Sequence, residues 1–312
     1  METFFTKDKN FYKVFFRLML VVALQNLVAY SVNMLDNMML GSYDQNALSG
    51  AATVNQIFFV VNQLAIAIGN ALIVMSSQYW GKKDTYAIRK LTGIVLIFSL
   101  LAAMIILAIC SAFPEQLLGL FTTSPDIIME GQTYLKILKW TFVLFLISNL
   151  LISMLRSVET VQISFVVSVI SLIVNGGINY TLIFGHFGFP EMGIKGAAIG
   201  TLTARSLEFL IVLFYVVKID KKVRVFDGGL LRGTFTAENR KLCRDFIKVS
   251  TPVILSGLVW AISIPMQTAI LGHLSSDAIA ANSVATTFFQ YLKVIVVAIA
   301  SASSVVIGKS IG

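Results

Sequence analysis

Apolar residues run through the chain in eight long stretches, at about 15–40, 47–79, 91–113, 131–155, 161–184, 196–217, 245–271 and 278–309. As helix, each is long enough to cross a hydrocarbon core of about 30 Å. Each is too long for a strand, and a continuous helix satisfies its own backbone hydrogen bonds in lipid. The pattern therefore predicts an all-α polytopic membrane protein with eight transmembrane helices. The first stretch is not a cleavable signal peptide, because it lacks a short apolar core with a small-residue cleavage site and holds an acid, Asp36. The one long polar connection, 218–244, carries the turn signal Asp227-Gly228-Gly229 and reads as a linker between two membrane units.

Sliding the chain along itself gives one ungapped register, at an offset of 231, that pairs Leu40-Gly41 with Leu271-Gly272, Phe58 with Phe289, Ala71 with Ala302 and Gly81 with Gly312. Over 15–81, 14 of 67 aligned pairs are identical; apolar composition alone would supply perhaps half of these, so the shared glycines and helix ends carry more weight. Both copies start on the same side of the membrane, which makes this a parallel repeat. The organisation that follows is an N-lobe of six helices over 1–217, the linker over 218–244, and the first two helices of a repeated C-lobe over 245–312. A complete second lobe would end near roughly residue 450. The expectation is thus of a C-terminally incomplete transporter whose activity belongs to the whole.

Composition sharpens the membrane reading. Only 13% of the 312 residues are charged, where soluble domains carry about 25%. The net charge of +8 does not imply nucleic acid, because the basic residues concentrate in alternate connections. Lys7, Lys9, Lys13, Arg17, Lys82, Lys83, Arg89, Lys90, Arg156, the linker cluster from Lys218 to Arg244, and Lys309 all fall on one side. By the positive-inside rule that side, with the N-terminus, is cytoplasmic, in a multi-pass plasma-membrane topology. Two cysteines and two histidines offer neither a disulfide framework nor metal-ligand spacing. No nucleotide-binding, zinc-protease, nucleophile-elbow or diphosphate motif is present, so the chain is not expected to be an enzyme, no cofactor is expected, and active transport would draw on an ion gradient.

Polar groups inside the membrane need a partner or a wet cavity. Asp36 lies four residues before the outer end of the first span, about 6 Å deep at 1.5 Å per residue. Asn175 and Asn179, spaced i,i+4 on the fifth span, and Thr201, early in the sixth, fall in the same outer half. An acid with amide and hydroxyl oxygens at one depth suits a proton or Na⁺; the alternative is that Asp36 snorkels outward and the amides hold helices together. Asn55, Asn62, Gln63 and Asn70 form a polar stripe along the second span, to line a cavity or pack against a neighbour. Lys293, at the repeat position of Asn62, falls near mid-membrane, as a substrate group or half of an ion pair with an unidentified acid. Arg205 and Glu208, spaced i,i+3, are read as a mutually neutralising pair. His186 and His273 mark outer helix ends, and Pro265 is expected to kink the seventh span.

The pattern resembles the multidrug and toxic compound extrusion (MATE) transporters. The residues that carry the resemblance are Asp36-Asn37-Met38-Met39-Leu40-Gly41, Gln78-Tyr79-Trp80-Gly81, Leu120-Phe121 with Tyr134-Leu135, Asn175-x-x-x-Asn179, and Gly196-Ala197-Ala198 with Thr201. The resemblance implies twelve helices in two lobes, exporting organic, often cationic, compounds in exchange for H⁺ or Na⁺ by alternating access. It further implies that Asp36 is the cation-coupling acid, with Asn175, Asn179 and Thr201 beside it. Where some members have an aspartate on the fifth span, this chain has Asn179. The expected partners are a small organic substrate, H⁺ or Na⁺ and the lipid bilayer, with the protein a monomer. Alternative readings are a flippase for a lipid-linked glycan and a non-transporting membrane fragment or scaffold.

Overall fold

The structure, a computed structural model, describes residues 9–227, 237–274 and 276–312, the last two stretches with side chains at 240–264, 266, 289 and 292–312. The described residues are mostly helical. Helices α1 (Lys9–Tyr43), α2 (Gln45–Gly81) and α3 (Thr85–Ala112) lead through the short α4 (Pro114–Gly119) into α5 (Pro125–Ser157). Helices α6 (Gln162–Phe184), α7 (Ile194–Phe214), α8 (Ala237–Leu274) and α9 (Ser276–Ile311) complete it. The turns follow from local chemistry. Asp44 and Asp84 cap α2 and α3, accepting from the Ala47 and Ala87 amides at 2.8 and 2.9 Å. Pro114 and Pro125 open α4 and α5, where no amide hydrogen bond is lost. Gly185, at φ +70°, closes α6 in a left-handed cap.

Among the described residues, seven helices or helix segments are long and apolar enough to cross a membrane: α1, α2, α3, α5, α6, and 240–264 and 292–311 within α8 and α9. Helix α7, which holds the sixth expected span, is not among them, so the count by length and apolarity is seven where the sequence pattern gave eight. Its 21 residues nonetheless rise roughly 32 Å, and it packs with α5 and α6 inside the helix array. Arg205 and Glu208 at its middle dilute its apolar character. Helix α8 begins at Ala237, eight residues before the expected span. This first part, with Arg240, Lys241 and Arg244, is helix outside the apolar layer, which hydropathy alone cannot register.

Helix α5 is central, lying against α2, α3, α4 and α7. Its Tyr134, Leu135, Leu138, Phe142, Leu146 and Leu150 are buried there. Helix α1 is held between α6 and α9, and α2 lies along both α8 and α9. At the end with the basic connections, α2 and α9 approach backbone to backbone: a Cβ at Gly81 would strike Lys309, and one at Gly312 would strike Gln78. With the offset of 231, Lys309 is the counterpart of Gln78 and Gly312 of Gly81. The two contacts are therefore exchanged copies of each other, the reciprocity that a two-fold relating α2 to α9 requires. Leu18, Ile73, Val161, Ala302, Val305 and Val306 fill the same end with a separate apolar cluster. After α7 the chain turns through 215–219 into a loop capped by the Asp220 carboxylate, which accepts from the amides of Lys222, Val223 and Arg224. Lys222 donates to the Val158 carbonyl at 2.7 Å, and burial there pulls its ammonium below the usual lysine range.

Candidate cation-binding site

Three helices bring four polar side chains together. Helix α1 continues past Leu40 to Tyr43, so Asp36 lies seven residues, roughly 10 Å along the axis, from the helix end. Only 8% of Asp36 is exposed, and Asn175 and Asn179 on α6 are fully buried. Asn179 Nδ2 donates to Asp36 Oδ1 at 2.5 Å and faces Asn175 Oδ1 at 3.4 Å. Asn175 Nδ2 in turn donates to Thr201 Oγ1 on α7 at 3.3 Å. The chain of bonds runs from α7 through α6 to the α1 carboxylate, and it relies on close helix contact. Gly200 allows that contact: a Cβ there would collide with Asn179 Oδ1. Asn179 Oδ1 is buried and has no hydrogen-bond partner among the described residues. It lies against Gly200 of α7.

The carboxylate borders a small cavity of about 20 Å³, enough for one water molecule. Asn33, Asn55, Phe58, Tyr134, Ser171 and Arg205 share its wall with Asp36, Asn175 and Thr201. Of the polar stripe on α2, Asn55 alone is in this wall. Asn62 and Gln63 are half-buried along the stretch where α8 passes, Gly257 of α8 fitting against the Gln63 carbonyl and Ala67, and Asn70 is exposed. Lys293 lies near the middle of α9, with its ammonium 4.7 Å from the centre of the Trp260 ring on α8. Among the described residues that ring is its partner, where an acid was one expectation. Arg205 and Glu208 do pair, at 2.7 Å. What the sequence reading missed is that Arg205 also faces the Asp36 cavity. The signal was present, since Arg205 follows Thr201 by four residues and shares its helix face.

His186 lies outside α6 and stacks on Tyr180 at 4.3 Å. The side chains of Pro265 and His273 lie outside the described residues.

The sequence profile of the MatE family matches residues 22–181, which hold Asp36, Asn175 and Asn179. The chain belongs to the MatE family. It is a multi-pass helical membrane protein and, as a member of a family of transporters, not an enzyme. Among its relatives is a probable multidrug resistance protein NorM of Rhizobium meliloti, 24% identical over 290 residues, or 92% of this chain and 60% of the relative. Another is the probable multidrug resistance protein YoeA of Bacillus subtilis, 25% identical over 297 residues, or 95% of this chain and 64% of the relative. The fold is that of a multidrug resistance MATE family transporter of the MOP superfamily solved in an outward-facing conformation, with a TM-score of 0.84 at 19% identity, covering 96% of this chain and 64% of that one. A MOP superfamily transporter from Pyrococcus furiosus superposes with a TM-score of 0.83 at 18% identity, over 96% of this chain and 64% of that one. This MatE chain thus spans about six tenths of the length of the curated relatives it matches.

Proposed function

We propose that this MatE chain forms the N-lobe, 1–217, the linker, 218–244, and the first part of the C-lobe, 245–312, of a cation-coupled exporter of drugs or organic metabolites. The N-terminus is cytoplasmic and the coupling ion is H⁺ or Na⁺. The observation that carries the reading is the buried Asp36 carboxylate, bonded by Asn179 and linked through Asn175 to Thr201, so that three helices meet at one ionisable group. Neutralising that carboxylate changes what its hydrogen-bond partners prefer and so biases one packing of α1, α6 and α7 over another. The names of the relatives as multidrug resistance proteins support organic compounds as the cargo. The test is ethidium efflux from cells expressing the complete reading frame. Asp36→Asn is expected to abolish gradient-driven efflux while leaving the protein in the membrane, and undiminished coupled efflux would sink the assignment.

A further inference from the structure

Arg205 has four relationships that together define a role. Its guanidinium is held by Glu208 at 2.7 Å. It lies over the Phe145 ring at 4.9 Å and the Phe58 ring at 5.9 Å. It lines the cavity that Asp36 borders. It follows Thr201, which Asn175 bonds, by four residues on the same face of α7. A guanidinium does not lose its proton in a protein, so this positive charge is permanent. Two rings and a carboxylate hold it, and swinging away would cost all three contacts.

We infer that Arg205, tethered to Glu208, is the fixed countercharge of the Asp36 site and sets how tightly that carboxylate holds its coupling cation. This rests on the reading of Asp36 given above. The charges of the set are Asp36, Arg205 and Glu208, with Tyr134 on α5 the other titratable group of the cavity wall. The remaining polar groups there, Asn33, Asn55, Thr141, Ser171, Asn175 and Thr201, are uncharged, as is Asn179 behind them. Two carboxylates and one guanidinium leave a single negative charge, and one monovalent cation makes the set neutral. A second would leave an uncompensated positive charge in the membrane interior, which is disfavoured. The site is therefore built for one cation. Arg205 weakens the hold of Asp36 on it, which allows release, and Glu208 limits that weakening by compensating Arg205. Arg205 acts through Asp36 and is a positioning residue, not a ligand.

Opposite substitutions must then act in opposite directions. The measurement is the infrared band of the protonated carboxyl group that is lost in Asp36→Asn, titrated against pH in the complete protein reconstituted in lipid. Arg205→Gln removes the neighbouring cation and is expected to move the midpoint up by about one pH unit or more. Glu208→Gln leaves Arg205 uncompensated and is expected to move it down. Arg205→Lys keeps the charge and is expected to stay near the original midpoint. If Na⁺ is the coupling ion, the Na⁺ affinity read from the same band moves likewise, tighter in Arg205→Gln and weaker in Glu208→Gln. Midpoints that do not move, or that move the same way in both variants, would overturn the inference. Should Arg205→Gln fail to fold, Glu208→Gln decides alone, since an unmoved or raised midpoint there is equally fatal. Loss of efflux in Asp36→Asn with no shift in these variants would leave the proposed function standing without the countercharge; efflux unchanged in Asp36→Asn would remove both.

Discussion

Gly200 shows how much of the site depends on an atom that is missing. Its Cα faces the Asn179 amide so closely that any side chain would overlap Asn179 Oδ1. That amide is the donor to Asp36. Gly200→Ala is therefore expected to push Asn179 off the carboxylate, reducing ethidium efflux at least about tenfold, the cost of one charge-assisted hydrogen bond of roughly 1.5–3 kcal/mol. Membrane levels should stay near normal, because the collision is with a side chain and not with the α6 backbone. Efflux at the original level in Gly200→Ala would show that this bond is dispensable. At this scale the polar residues themselves were legible, since an acid and two amides in apolar spans are costly enough to stand out. Gly200 was not, because a glycine in an apolar span is common and its closeness to Asn179 depends on how α6 crosses α7. Arg205 was hidden for another reason: its pairing with Glu208 satisfied it on paper, and only the packing of α7 against α2 and α5 showed what else it faces.

The helices run past the expected spans whether or not a cap sets their ends: α3, capped by Asp84, begins at Thr85, six residues before its expected span. Asp84 accepts from the Ala87 amide at 2.9 Å, an interaction written into the local sequence. Asp84→Ala should destabilise the protein by about 1 kcal/mol and lower its melting point in detergent, while Asp84→Asn should restore most of the loss. Equal melting points for the two variants would mean that the cap contributes nothing. The α8 start at Ala237 and the extension of α1 to Tyr43 likewise lie outside the expected spans. Both extensions carry polar or charged residues, so hydropathy ends before the helix does. For the site, what encloses Asp36 is the packing of α1 against α6, which brings Asn179 to its carboxylate.

For the molecule as a whole, the repeat offset told which segments correspond but not where they would touch. Among the described residues, part of the touching surface lies at the end with the basic connections. There Lys309 on α9 pairs with Glu159, after α5, at 2.6 Å. Arg156 spans the same joint, donating to Gln25 on α1 at 3.1 Å and to Ser301 on α9 at 3.3 Å. Under the alternating access proposed above, this end opens and these bonds break in each cycle. The Glu159–Lys309 pair is partly exposed, at 20% and 46% of its side-chain surfaces, and a pair of that kind contributes about 0–1 kcal/mol. It therefore biases the closed state without locking it. Glu159→Lys places two like charges at the joint and should shift the population toward opening at this end. A cysteine at Ala302, buried against Leu18 and Ile73 in the closed arrangement, would then react faster with a membrane-impermeant thiol reagent applied from the side of the basic connections. This labelling is measured in a background without Cys110 and Cys243. The charge swap Glu159→Lys with Lys309→Glu should return the rate to its starting value, because it restores the attraction with the signs exchanged. If the single and the swapped variants label alike, the ion pair has no part in closing this end, and the apolar cluster with the α2–α9 backbone contact holds it shut alone.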